Sequence, residues 1–301
     1  MKYEQAGVSL AKAADVVERL RDAVASTGGD LGGFAGLYEL DREQLLAAST
    51  DGVGTKLMLA RKAGRLRDAG IDLAAHCLND VLTTGAEPLF FLDYVAAGKL
   101  DLEEVAEIVE GAAEVCRAAG CAILGGETAE LPGVYAEGEL DAAGTCVGLV
   151  RRADLIDGSR VEPGNAVLGL PSSGLHANGF SLVRRLVGDG PFDADLLLTP
   201  TRLYLNDVRA LRERFDVRAL AHITGGGIPG NLPRVLPDGL DAELDWGSWE
   251  RPPVFAWLTE HGVEEEEARR VFNLGVGYCV VLAQEEAQTT GFPVIGRIVE
   301  K

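Results

Sequence analysis

Residues 89–95, Leu-Phe-Phe-Leu-Asp-Tyr-Val, form a run apolar enough to read as a strand buried on both faces, with one aspartate in its middle. A carboxylate taken into such a strand is costly unless it is paired, so Asp93 is expected to meet a cation, a metal or several donors. Around this run, strand-like and helical segments alternate, which predicts an α/β fold. Residues 45–49, 89–95, 122–124 and 144–150 read as strands, and 71–84 and 102–119 as helices, with another helix opening at Thr55. The stretch 157–164, DGSRVEPG, is the clearest linker. After it a strand (166–170), a Ser/Gly loop and a helix (180–187) restart the pattern, and 188–199 reads as a surface excursion. Two domains are expected, residues 1–158 and 159–301.

The net charge of −19 excludes nucleic acid and anionic membranes as expected partners, because both need clustered Lys and Arg. The acid run at 264–267 reads as solvated surface. No apolar run approaches the roughly 18 residues that span a bilayer. The amphipathic N-terminus carries acids from the start, unlike a signal or transit peptide, so a cytoplasmic protein is expected. Cys77, Cys116, Cys121, Cys146 and Cys279 form no CxxC pair and read as reduced core thiols. If such an acidic chain handles phosphates, it must supply local positive charge from metal ions, helix N-termini or a few placed cations.

Several glycine turns could carry that chemistry. No GxxxxGK[ST] is present, and Gly52-Val53-Gly54 lacks the third glycine of a dinucleotide fingerprint. The loop of residues 28–36, GGDLGGFAG, reads either as a mobile flap over a ligand or as a plain connection. Asp51, at the end of a strand and followed by Gly54 and Lys56, can hold a metal and a phosphate together; a helix cap with a surface lysine is the plainer reading. On the 71–84 helix, Asp72, His76, Asn79, Thr83 and Glu87 fall in one stripe with Asp80 beside it. Solvent faces favour Lys, Arg and Glu, so these short oxygens suggest ligand duty. Gly125-Gly126-Glu127-Thr128 follows a short strand and adds carboxylates where α/β sheets bind ligands. Later, Ser173, His176 and Asn178 sit in a strand-to-helix loop suited to phosphate, and His222-Ile223-Thr224-Gly225-Gly226-Gly227 is built alike.

The segments STDGVGTKL, GIDLAAHCLNDVLTTGAEPLFFLDYVAAGKLD, GGETAELPGVY, SSGLHANGFSLVR, TPTRLY, HITGGG with NLPRVLP, and FNLGVG resemble the phosphoribosylformylglycinamidine cyclo-ligase (AIR synthetase) family, in order over nearly the whole chain. The resemblance implies conversion of formylglycinamidine ribonucleotide and ATP to aminoimidazole ribonucleotide, ADP and phosphate, with Mg²⁺ and usually K⁺. It implies an N-terminal α/β domain whose four-stranded sheet forms a barrel across a homodimer, and a C-terminal α/β domain. It assigns Mg²⁺ to Asp51, Asp80 and Asp93, with Asn79 and Glu127 as further ligands. ATP falls to Gly32, Gly33, Asp51, Gly54, Lys56, Asn79, Glu127 and Thr128. Substrate falls to Ser173, His176, Asn178, His222, Thr224, Gly225 and Gly226. Catalysis falls to His176, Lys56 and Asp80, with His176 moving a proton and His222 as runner-up. Three departures stand out: Pro229-Gly230-Asn231 where an acid is expected, Arg21 near a usual lysine, and a terminal helix cut to 284–290. Rivals are a selenophosphate synthetase, disfavoured by the absence of cysteine in residues 28–36, a thiamine-phosphate kinase, and a non-catalytic nucleotide-binding subunit.

Overall fold

The computed structural model describes residues 2–29 and 31–301, so Asp30 of the predicted flap lies outside the described residues. Two five-stranded sheets carry the chain. The first has strands β1 (Gly36–Glu39), β2 (Gln44–Gly52), β3 (Glu87–Ala97), β4 (Ala122–Glu130) and β5 (Leu140–Arg151), in the order β1-β2-β5-β3-β4. Its helices are α1 (Leu10–Ala25), α2 (Lys56–Lys62), α3 (Leu66–Leu82) and α4 (Leu102–Ala119). The second sheet follows with β6 (Ala166–Pro171), β7 (Ala219–His222), β8 (Leu240–Leu244), β9 (Val276–Leu282) and β10 (Val294–Glu300), in the order β7-β9-β6-β10-β8. Around it lie α5 (Phe180–Val187), α6 (Ala194–Leu197), α7 (Leu205–Arg214), α8 (Gly227–Asn231), α9 (Pro253–Glu260), α10 (Glu265–Val271) and α11 (Gln284–Ala287).

Local chemistry sets the ends of these elements. The Asp101 carboxylate accepts from the N–H groups of Glu103 and Glu104 and starts α4; Gly120, in the left-handed region, ends it. α3 and α4 cross so closely that a Cβ on Gly70 would lie 1.9 Å from the Ile108 carbonyl oxygen, and one on Gly111 equally close to that of Arg67. Only glycine fits either position. This crossing sets α3 between the first sheet, α4 and the second domain. Cys77, Leu78 and Val81 enter the core together with Phe91 of β3.

Four expectations need correction. The first sheet has five strands where four are predicted, because β1 pairs antiparallel with β2. GGETAE is no turn; it is the second half of β4, running parallel to β3. β3 is buried on one face only: Phe91 and Val95 are covered, while Leu89 and Leu92 are 42% and 39% exposed. The 188–199 excursion contains α6 and buries Leu197 and Leu198. The shortened C-terminus does not fray an edge, since β10 lies between β6 and β8. All five cysteines are free and buried.

On the outer surface, hydrogen bonds from Arg251, and then from Arg269, pull the Glu265 carboxyl down to about 2. A depressed acid contributes stability above its unfolded value of about 4.5, and that contribution is lost as pH falls through about 2. Glu265→Gln is therefore expected to flatten the acid limb of the stability–pH curve between those values. An unchanged limb in pH-resolved thermal melts counts against it.

Candidate functional site

The site is organised where α3 meets the end of β2. Ser49 and Asp51 lie two apart on β2, so their side chains share a face. The Ser49 hydroxyl donates to Asp80 Oδ2 at 2.9 Å, and Asp51 Oδ2 lies 3.3 Å from His76 Nδ1, one helical turn before Asp80. Across the seam, His222 Nδ1 at the end of β7 is 2.8 Å from Asp80 Oδ1. The two imidazoles meet edge to face, their centroids 5.1 Å apart. Asp51, His76, His222 and Asp80 thus form one continuous cluster spanning both domains.

A carboxylate only accepts, so each imidazole donates from Nδ1 and is fixed in one tautomer. The Nε2 atoms of His76 and His222 are buried without a partner among the described residues. Burial alone pushes both imidazoles down. For His76 the Asp51 carboxylate more than offsets this and holds it above its ordinary value, while His222 stays below its own. Burial raises the Asp51 carboxyl, but His76 draws it below the usual range.

Two residues of the predicted polar stripe of α3, Asp72 and Asn79, face the second domain and are consumed there. Asp72 Oδ1 accepts from the N–H and hydroxyl of Thr201. Asn79 donates to the Arg202 carbonyl and accepts from the Tyr204 N–H, while Tyr278 donates to the Asn79 carbonyl. The Asn79 side chain therefore clasps the 202–204 strap from a buried position, one donor and one acceptor site being used there. Glu87 is on β3, paired with Arg209.

Lys56, predicted on the ATP phosphates, is wholly buried. Its ammonium is 2.7 Å from Asp72 Oδ2 and donates to the carbonyls of His176 and Thr199. Three oxygens satisfy its three protons. Lys56 is an interdomain tie, and its phosphate role is corrected.

On the second domain's side, Asn231 pins the glycine turn by donating to the carbonyls of Thr224, Gly225 and Gly227. Thr224 donates back to Asn231 Oδ1. Asn178 Oδ1 points at this turn, where a Cβ on Gly225 would lie 3.4 Å from it, and its Nδ2 is buried without a partner among the described residues. Asn178, Thr224, Gly225 and Gly226 are thus together, and Asn231 holds the turn, while Gly230 stands before it where an acid is expected. Ser173 donates instead to the Pro200 carbonyl.

His176 departs from expectation. It is fully buried with φ +61°, it accepts weakly from the Ser173 N–H, and burial drives it well below the ordinary histidine range. A general base must reach the proton it removes, so His176 is corrected from proton carrier to packing residue of the loop.

Arg234 has no predicted role, yet it brings positive charge to the cleft. It donates to the carbonyls of Gly32 and Gly33 and to Asn231 Oδ1, and lies over the Phe34 ring at 3.9 Å. Phe34 is buried in the second domain's core, so the end of the 28–36 loop is docked where a free flap is one of the two predicted readings. The signal was available in the sequence: Phe34 is the one aromatic residue of that loop.

Asp51 and Asp93 share one rung of the sheet, Asp51–Gly144–Asp93–Gly126, two strands apart. At about 4.8 Å per strand they are roughly 10 Å from one another, too far to share one cation. Burial raises the Asp93 carboxyl, and no side-chain donor meets it among the described residues. Glu127 and Thr128 lie one strand further, exposed on β4. Among the described residues no three His, Cys, Asp or Glu side chains stand together as a metal cage. The three predicted aspartates are therefore not brought together: Asp93 stands apart from Asp51 and Asp80.

Residues 32–150 match the family described as AIR synthase related protein, N-terminal domain, and 162–300 match AIR synthase related protein, C-terminal domain. The solved structure described as AaThiL complexed with AMPPCP and TMP shares the fold, with a TM-score of 0.68 at 15% identity over 95% of this chain and 90% of that one. Fold and site thus define an AIR synthase-related, two-domain α/β protein. Phosphoribosylformylglycinamidine cyclo-ligases are far more similar. That of Myxococcus xanthus is 49% identical over 99% of this chain and 93% of its own length. That of Sorangium cellulosum is 52% identical over 95% and 89%. The chain belongs to the phosphoribosylformylglycinamidine cyclo-ligase family, the purine-biosynthetic enzymes that close the imidazole ring with ATP.

Proposed function

We propose that ring closure takes place in the cleft between the Asp51–Asp80 pair and the Thr224–Gly226 turn, with ATP phosphates at the first and formylglycinamidine ribonucleotide along the second. The observation that carries this reading is the histidine-linked carboxylate pair, which joins two distant motifs of a chain about half identical to known cyclo-ligases over nearly its full length.

Mg²⁺ fits these residues. It takes oxygen ligands, commonly one or two carboxylates plus substrate phosphates, and keeps several waters. Each oxygen of Asp51 and Asp80 makes one hydrogen bond and keeps a lone pair. Bound there, Mg²⁺ would offset phosphate charge. A K⁺ requirement belongs to the same proposal.

An amide oxygen is a poor leaving group. Transfer of the γ-phosphoryl group of ATP to that oxygen, with release of ADP, yields an imidate-like phosphate, whose carbon the neighbouring nitrogen attacks with loss of phosphate and a proton. The protein's share is positioning and charge stabilisation. Asp51 and Asp80 are held rigid by His76, His222 and Ser49, and Arg234 and the backbone N–H groups of the turn offer donors. The test is ATP hydrolysis with and without the ribonucleotide, followed alongside appearance of the aminoimidazole product. Turnover independent of the ribonucleotide, or none, sinks the proposal.

The same reading takes residues 1–158 as the nucleotide domain and 159–301 as the second, in a cytoplasmic homodimer. Among the described residues no helix is long and apolar enough to cross a membrane. Support for the dimer is the bare face of the first sheet, where Tyr38, Leu92 and Leu124 are exposed. Leu92→Asp is expected to yield a monomer by light scattering at micromolar concentration. A wild-type monomer, or an unaltered dimer in the variant, overturns this interface.

A further inference from the structure

The Asp51–Asp80 centre leaves a second concavity unused. Two cavities of about 640 and 690 Å³ share Thr55, Met58 and Lys62, so they are lobes of one groove over the outer face of α2. One lobe is cationic. Arg184 and Arg185 of α5 both line it, and neither makes a carboxylate, carbonyl or ring contact among the described residues. Lys62 donates to the carbonyls of Asp189 and Gly190 and keeps one proton free. Arg184 is half-buried. In a chain of net charge −19, neighbouring arginines are paired: Arg61 with Glu104, Arg65 with Asp68 and Asp195. Two guanidiniums without acceptors among the described residues, lining one cavity with Lys62, whose ammonium lies over the Phe192 ring at 5.7 Å, therefore mark a place for an anion.

The other lobe differs. Leu57, Met58, Leu140 and Tyr135 form apolar walls, and Glu139 and Asp141 bring acceptor oxygens to it. A mostly apolar recess with a few polar groups suits a flat ring bearing N–H or hydroxyl donors. The hydroxyls of Thr55 and Ser181, 3.2 Å apart, tie α2 to α5 and hold the two domains' contributions in register.

We infer that this groove binds a nucleoside monophosphate, its phosphate among Lys62, Arg184 and Arg185 and its ring in the apolar lobe beside Tyr135. This goes beyond the proposed function, which uses neither lobe. The substrate ribonucleotide and a free purine nucleotide share this chemistry.

Calorimetric titration of the full chain with AMP, with and without inorganic phosphate as competitor, tests the inference. AMP is expected to bind, phosphate to weaken it, and R184A/R185A to raise its Kd by about tenfold or more. R184K/R185K, which keeps the charge, recovers part of that loss, and Met58→Trp, which fills the junction of the lobes, also weakens AMP. If the KM for formylglycinamidine ribonucleotide rises in R184A/R185A together with the Kd for AMP, the groove holds the substrate. If only AMP weakens, it is a separate nucleotide site. Either result supports the inference. AMP binding that is absent, insensitive to phosphate, or unchanged in R184A/R185A overturns it. Wild-type turnover is measured in parallel, so failure of the cyclo-ligase reading is seen independently of this result.

Discussion

Asp80→Asn is expected to lower turnover by about 100-fold or more while leaving the fold intact. The amide is nearly isosteric and can still accept from the Ser49 hydroxyl, so packing at the α3–β2 junction survives. It loses the charge that pairs with His222 and is proposed to hold Mg²⁺. His222→Asn is expected to cost less, about 10- to 100-fold, because that side chain orients Asp80. The measurements are kcat, the Mg²⁺ concentration at half-maximal rate, and the thermal midpoint. A higher Mg²⁺ requirement with an unchanged midpoint is the expected pattern. Near-normal turnover in Asp80→Asn would refute the assignment.

Lys56→Met is expected to destabilise the protein by about 3–5 kcal/mol, because it leaves the Asp72 carboxylate buried and uncompensated. Thr201 still satisfies Oδ1, but Oδ2 faces an apolar neighbour. Asp72→Asn removes the opposite charge and is expected to be costly as well, whereas the Lys56→Met/Asp72→Asn double variant loses less than the sum of the two. Urea unfolding at neutral pH measures all three. Losses below about 1 kcal/mol in either single variant, or strict additivity, would overturn the buried-pair account. In the folded fraction of Lys56→Met the KM for ATP is expected to be unchanged, because the ammonium meets a carboxylate and two carbonyls. A large rise in that KM would return Lys56 to the phosphates.

Much of the fold is legible in the sequence because its signals are local. Asp101 before α4 and Gly120 after it bound that helix at residues 102–119, as predicted. The helix of residues 180–187 is equally well bounded, by glycines at 179 and 188. Asp51 and Asp80 could be nominated from residue type and motif, and the family resemblance agrees with the relatives found. Four residues were misjudged for one reason. Lys56, Asp72, Asn79 and His176 have the side chains of a ligand site, and a polar side chain in a sequence does not say whether its partner is a ligand or another part of the chain. Here many of the partners lie far off in the chain: Lys56 meets the His176 carbonyl, Asn79 the Arg202 carbonyl and Asp72 Thr201, each 120 or more residues away.

The α/β alternation, the helices at 102–119 and 180–187, the two-part division and the family were determined by the sequence alone, through periodicity, turn residues and motif order. Tertiary structure decided the rest. The rung that separates Asp93 from Asp51 depends on β5 pairing between their strands. The meeting of His76 with His222 depends on the second domain docking against α3. Those pairings are long-range, and hydrogen bonds and burial that exist only after docking select them.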